Sequence, residues 1–134
     1  MGDVVQKFGR NAEIDNSVAT YPEDVWLSGG VYTGFLPAAG TVDVVSSDID
    51  DEDEETGAWT IRLLGLDAFG YPVSEDITLA GTTPVTSTNT YLRLNRAYVL
   101  TAGTSQTNEG TITIDTTIGN IKVATIGAGD GQTL

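Results

Sequence analysis

The segment TITIDTTIGNIKVATI, Thr111 to Ile126, alternates apolar and polar side chains two by two. That period suits a strand and not a helix, because successive strand side chains point to opposite faces. Gly119-Asn120 reads as a two-residue hairpin turn of type II′, with the glycine supplying the positive φ. Such a turn pairs Ile118 with Ile121 and Thr116 with Val123. It gives Ile112, Ile114, Ile118, Ile121 and Val123 one buried face and sets Asp115 diagonal to Lys122 outside.

The same period recurs upstream. TVDVVSS sets Val42 and Val44 against Thr41 and Asp43, and AWTIRLL sets Trp59, Ile61 and Leu63 against Thr60 and Arg62. LDAFGYP carries Asp, Gly and Pro and reads as a hairpin connection. VSEDITLA then returns with Ile77 and Leu79 inward, and GTTP makes a second turn. In TYLRLNRAYVL, Leu92 and Leu94 face one way and Arg93 and Asn95 the other. Arg96 falls on the leucine parity, which predicts a bulge or a strand end near Asn95.

Short strands at regular spacing between Gly-rich turns, with almost no helical periodicity, predict an all-β chain. A small barrel fits this pattern as well, but the expected architecture is an antiparallel β-sandwich of jelly-roll or Ig-like type. The 134 residues suffice for one domain with one core. That domain is expected over residues 38–134. Residues 1–37 hold no sustained period and read as an irregular N-terminal arm. Phe8, Tyr21, Trp26, Tyr32 and Phe35 are too many aromatics for a disordered tail. They are candidate interface residues, packing on the body or on a neighbouring subunit.

A net charge of −13 and a pI near 4.1 oppose binding to nucleic acid or to an anionic membrane. Lys7, Arg10, Arg62, Arg93, Arg96 and Lys122 are scattered and form no basic patch. The chain has neither Cys nor His. Disulfides, thiolate or imidazole metal centres, Cys–His pairs and Ser–His–Asp triads are therefore excluded. MGDVVQKFGRNAEID lacks the apolar core of a signal peptide and no run is long enough to span a bilayer. The expectation is a soluble protein made in a cytoplasm.

SSDIDDEDEETGAW, Ser46 to Trp59, packs seven carboxylates (Asp48, Asp50, Asp51, Glu52, Asp53, Glu54, Glu55) into eight positions. An EF-hand beginning at Asp48 would need Gly where Asp53 stands and Glu where Trp59 stands, so that pattern fails. A less regular set drawn from Asp48, Asp50, Asp51 and Asp53 is a weak candidate for Ca²⁺. Acid–base catalysis by the run is disfavoured, since a hydrophilic loop does not desolvate one carboxyl of a pair. The reading adopted is a solvent-facing loop between two strands, with no metal, no cofactor and no catalytic residue.

The remaining candidates reduce to ordinary structure. Glu75 and Asp76 are strand neighbours pointing to opposite faces. Arg93 and Arg96 form a possible anion clamp, though Arg96 is equally suited to pair with Asp67, Glu75 or a subunit interface. GAGDGQ lacks the third glycine and the following helix of a phosphate loop. Trp26, Tyr32, Phe35, Trp59, Phe69, Tyr71, Tyr91 and Tyr98 suit either a sugar platform or, more commonly, the core of a small β protein.

GLDAFGYPVSEDITLAGTTPVTSTNTYLRLNRAYVLTAGTSQTNEGTITI, Gly65 to Ile114, carries GLD, TLAGTT, LRLNRAYV and NEGTI at spacings that resemble a family of tailed-bacteriophage virion structural proteins. PEDVW, Pro22 to Trp26, and the strand Val42 to Ser47 extend the likeness over most of the chain. The resemblance implies a non-enzymatic head decoration, cement or fibre protein. It also implies a major capsid protein or other virion proteins as partners, homo-oligomerisation, and residence in a virion assembled in the host cytoplasm. Relatives carry a less acidic loop at Asp48–Glu55 and continue past the position of Leu134. The alternative is a carbohydrate- or calcium-dependent adhesion module.

Overall fold

A computed structural model describes residues 36–133. Seven strands follow one another without a helix among the described residues: β1 (Val42–Ser46), β2 (Ala58–Leu66), β3 (Pro72–Thr78), β4 (Val85–Thr86), β5 (Arg93–Ala102), β6 (Ile112–Thr116) and β7 (Lys122–Ile126). They form two antiparallel sheets, one of four strands in the order β4-β1-β6-β7 and one of three in the order β3-β2-β5. The all-β expectation is met. The arm candidates Phe8, Tyr21, Trp26, Tyr32 and Phe35 lie outside the described residues.

The period-two residues build one core from both sheets. Val42, Val44, Ile112, Ile114, Val123 and Ile126 come from the four-stranded sheet, and Ile61, Leu63, Ile77, Leu94 and Ala97 from the other. At roughly 1.5–3 kcal/mol for each large side chain removed from water, this layer dominates the stability of the body. Ile77 and Leu79 point inward as expected. The bulge foreseen near Asn95 is present: Leu64 pairs with Arg96 and Gly65 with Leu94, which leaves Asn95 without an opposite number. Gly65 sits there because β5 crosses too closely for a side chain. A Cβ would lie 2.8 Å from the Tyr91 ring and collide with the Arg93 carbonyl.

Three local expectations are corrected. Trp59 does not share the inward face of Ile61 and Leu63. The β2–β5 register shifts between Ala58 and Ile61, so Ala58 is buried and Trp59 turns outward, its Nε1 donating to the Glu55 carbonyl at 2.7 Å. In the last hairpin, Ile112 pairs with Ile126 and Asp115 lies directly opposite Lys122, with a shift after Ile114 that buries both Val123 and Ala124. The turn therefore has four residues rather than two. Thr116 closes it, donating its backbone N–H to the Ile121 carbonyl and its Oγ1–H to the Ile118 carbonyl. Gly119 and Asn120 both take positive φ, and Ile118 is left 89% exposed instead of buried. The short β4 was not foreseen, because two residues are too few to display a period.

Candidate functional site

The strand directions gather the loops at two ends. One end holds residues 47–57, 79–83, 103–110 and 127–131. Backbone hydrogen bonds tie them together: Gly81 N–H to the Asp51 carbonyl, Gly103 N–H to Gly57, and Gly129 N–H to Asn108. The loops 47–57, 103–110 and 127–131 contain nine carboxylates and no Lys or Arg.

Within this acidic end the reading of the whole run as a wet loop fails at one residue. Asp51 is wholly buried. Its Oδ1 accepts from the N–H groups of Ala58 and Glu109, both at 2.8 Å, and its Oδ2 accepts from Gly110 N–H at 2.9 Å and the Ser46 hydroxyl at 2.5 Å. Four donors converge on one carboxylate, which satisfies a group that is otherwise expensive to bury. Gly57 leaves room for it, since a Cβ there would collide with Asp51 Oδ1 and stand 2.8 Å from the Asp50 carbonyl. Asp51 thus pins the 47–57 loop to the 103–110 loop, and it is removed from the cation candidates because its lone pairs are taken.

Of the other cation candidates, Asp53 is exposed and stands apart, whereas Asp48 and Asp50 are brought together with Glu109. One carboxylate oxygen from each of the three lies within 4.8 Å of the others. Protein donors already reach two of the three. Asp50 N–H donates to Asp48 Oδ1 at 3.0 Å, and the hydroxyls of Thr56 and Ser105 donate to Glu109 Oε1. Sequence reasoning missed Glu109, which is more than fifty positions away and is brought beside the run by the Asp51 bonds and by the Thr56 hydroxyl.

The opposite end holds residues 36–41, 66–72, 87–92 and 117–121. Hydrogen bonds again link them in series: Leu92 N–H to the Leu66 carbonyl, Tyr91 and Gly40 reciprocally, and Thr117 N–H to Thr41. Asp67 is the one charged residue in 36–41, 67–71, 87–92 and 117–121. Its Oδ1 accepts from the N–H groups of Phe69 and Tyr71 at 2.9 and 3.0 Å, while Gly70 takes a φ of 80°. This Asx-type turn fixes the backbone and holds Phe69 and Tyr71 in water, 84% and 68% exposed. Beside Ile118 runs an open groove of about 200 Å³ lined by Leu36, Pro37, Ala38, Ala39, Ile118 and Ile121.

Tyr91 anchors this end from within. Its ring is buried and its hydroxyl donates to Glu75 Oε1 at 2.9 Å, and burial together with Glu75 pushes the phenol well above its ordinary range. Glu75 also accepts from the N–H groups of Thr88 and Asn89, fastening the 87–90 loop beside β3. Among the described residues the three arginines are engaged within the chain. Arg62 forms a two-pronged pair with Asp76, holding that carboxyl below its usual range. Arg93 donates to the carbonyls of Leu36 and Leu92, and Arg96 donates to Gln132 and stacks on Tyr98. In these contacts the partner of Arg96 is Gln132, not Asp67 or Glu75.

On the outer face of the four-stranded sheet, Asp115 lies between Asp43 on β1 and Lys122 on β7. Its Oδ1 is buried without a hydrogen-bond partner. Burial raises this carboxyl above its ordinary range, Asp43 adds to the rise, and Lys122 opposes it. Asp43 itself accepts from the hydroxyls of Thr86 and Thr117.

Comparison with known proteins adds nothing to these observations: no protein-family model, no curated protein and no solved structure matches this chain.

Proposed function

We propose that this chain is a non-enzymatic structural protein of a tailed-bacteriophage particle, one that decorates or stabilises the capsid through protein–protein contacts. The likeness of Gly65–Ile114 to virion proteins supports the particle. The observation that carries the mode of action is the end opposite the acidic loops, where Phe69, Tyr71 and Ile118 stand in water on turns closed by hydrogen bonds. A folded chain that holds large apolar side chains out of its own core has them available for another surface. The two sheets and their shared core are read as a β-sandwich of jelly-roll or Ig-like type, a scaffold on which such contacts are presented at the loop ends. The arm residues Phe8, Tyr21, Trp26, Tyr32 and Phe35 would add a second contact to a neighbour, the capsid protein or another copy.

Purified particles, stripped of this chain and re-incubated with it, are expected to take it up, and Phe69→Ala/Tyr71→Ala is expected to lose at least about tenfold in affinity. Particles whose protein content never includes the chain overturn the reading. A second reading, a calcium-dependent adhesion module, is favoured by the grouping of Asp48, Asp50 and Glu109. It requires calcium to raise the melting temperature and Asp48→Asn/Asp50→Asn to abolish the rise. An unchanged melting temperature removes it.

A further inference from the structure

We infer that the peptide bond between Asp130 and Gly131 is a modification site, at which aspartate converts to isoaspartate, and that Asn108 holds this conversion back in the folded chain. Of the sixteen glycines, Gly131 alone follows an aspartate or an asparagine. A residue without a Cβ leaves its backbone nitrogen unhindered for attack on the preceding side chain, so this is the pair in the sequence best suited to cyclise.

In the step, the Gly131 nitrogen bonds to Asp130 Cγ. Its proton and the hydroxyl of the carboxyl group leave as one water, closing a succinimide ring. Water then adds back. Addition at Cγ restores aspartate, whereas addition at the former main-chain carbonyl breaks that carbon's bond to nitrogen and leaves the chain running through Cγ, one methylene longer. No reagent besides water takes part.

The turn after β7 commits the chain to this pair and also restrains it. Gly131 takes a φ of 71°, and a Cβ there would stand 3.3 Å from Thr107 Oγ1, so the position favours glycine. Asn108 then pins it. The Asn108 side chain is buried, its Nδ2 donating to the carbonyls of Gly110 and Gly127 at 2.7 and 2.8 Å and its Oδ1 accepting from Gly131 N–H at 3.0 Å. The Gly131 carbonyl accepts from Val99 N–H at 2.7 Å. With both backbone groups tied, the Gly131 nitrogen turns on Asp130 Cγ only when the loop opens, and the rate follows the open population.

The bond sits where the chain passes from one sheet to the other. Beyond it, residues 131–133 lie antiparallel to β5, an edge strand of the three-stranded sheet. Tyr98 bridges to Gln132, Thr133 N–H donates to the Ala97 carbonyl at 2.8 Å, and Ala97 N–H donates to Thr133 Oγ1 at 3.0 Å. An extra methylene at residue 130 throws this short strap out of register and leaves the N–H groups of Ala97 and Val99 on an uncovered edge.

Warming the full chain in mildly acidic buffer, folded or in denaturing urea, tests the inference, with peptides mapped by electron-transfer fragmentation to tell isoaspartate from aspartate. Isoaspartate is expected at residue 130 in the unfolded chain, and at least about tenfold more slowly in the folded one. Asn108→Ala is expected to bring the folded rate towards the unfolded rate. Because that variant loses buried hydrogen bonds, the unaltered chain supplies a second measurement: in sub-denaturing urea, isomerisation and deuterium exchange of the Gly131 amide are expected to quicken together. Asp130→Glu, whose longer side chain must close a larger and slower-forming ring, is expected to remove the product. The isomerised chain, separated by ion exchange, is expected to exchange faster at the Ala97 and Val99 amides while those between β2 and β3 keep their protection. Equal rates in the folded and unfolded chain, no product at residue 130 in urea, or unchanged protection of Ala97 and Val99 after conversion would overturn the inference.

Discussion

The two ends of the body are built from the same kinds of turn yet use aspartate in opposite ways. At the acidic end Asp51 is swallowed whole, its four acceptor bonds made to Ser46, Ala58, Glu109 and Gly110. At the other end Asp67 stays partly exposed and caps only its own turn, to Phe69 and Tyr71. The first carboxylate welds two loops distant in sequence. The second shapes one loop so that aromatic rings face water. Charge therefore serves cohesion at one end and display at the other, and most of the visible carboxylates around Asp51 are bystanders to that cohesion.

The sharpest way to break this contrast is to remove Asp51. Asp51→Ala strands three backbone N–H groups and the Ser46 hydroxyl in a buried site, and urea unfolding should show a loss of about 3–5 kcal/mol, a large share of a small domain's stability. Asp53→Ala, two positions away and exposed, should change stability by no more than ~0.5 kcal/mol. Equal losses at the two positions would mean that the run acts as a unit and that Asp51 has no special place in it.

Tyr91 offers the matching test inside the end that carries Asp67. Tyr91→Phe keeps the buried ring and removes one bond to Glu75, which retains the N–H groups of Thr88 and Asn89. The expected loss is about 1–2 kcal/mol, smaller than at Asp51 because only one donor is lost and two others still satisfy Glu75. Hydrogen exchange should show the opening confined to the 87–90 loop.

The difference between the ends was only partly legible in the sequence. Strand alternation was readable because burial of one sheet face imposes it residue by residue, and the Asn95 bulge was readable because it breaks that alternation at Arg96. Parity carries no information across a bulge that precedes the first clear period, so the alternation places Trp59 inward while the register shift turns it out. Asp51 is one of seven carboxylates in the run, and no feature of the sequence separates it from Asp48, Asp50 and Asp53. What singles it out is the approach of Glu109 and Gly110 from a loop far along the sequence, and only folding brings them there. Gly119-Asn120 suits a two-residue turn, and that turn would place Ile118 in the core. The Thr116 side chain instead closes a longer loop, with its hydroxyl serving as both donor and acceptor.

Between the two ends, Asp115 links charge to pH. Burial and Asp43 raise its folded-state pKa above the unfolded value, with Lys122 opposing. A carboxyl shifted upward contributes stability that is fully present below the unfolded-chain pKa and is lost as pH rises through the folded-state pKa. Asp115→Asn should therefore flatten the fall in stability across that acidic window. Since the group is only partly buried, the change should be smaller than that of Tyr91→Phe. An unaltered pH profile would place the titrating groups at the acidic end instead.

The smallest expected effect is also the most direct measure of whether the exposed carboxylates are passengers. Asp53, Glu54 and Glu55 are exposed and adjacent, so they repel one another through water, where unit charges a few ångströms apart interact by only about 1 kcal/mol. The triple change Asp53→Asn/Glu54→Gln/Glu55→Gln should raise stability by a few tenths of a kcal/mol in low salt. The gain should vanish near physiological ionic strength, where screening acts over about 8 Å. Glu54 also holds a φ of 71°, a backbone cost that glutamine leaves in place, so any gain reports charge rather than strain. If the triple variant instead lost stability, or its effect were indifferent to salt, these side chains would be making specific contacts, and the distinction between one welded aspartate and its solvated neighbours would fail.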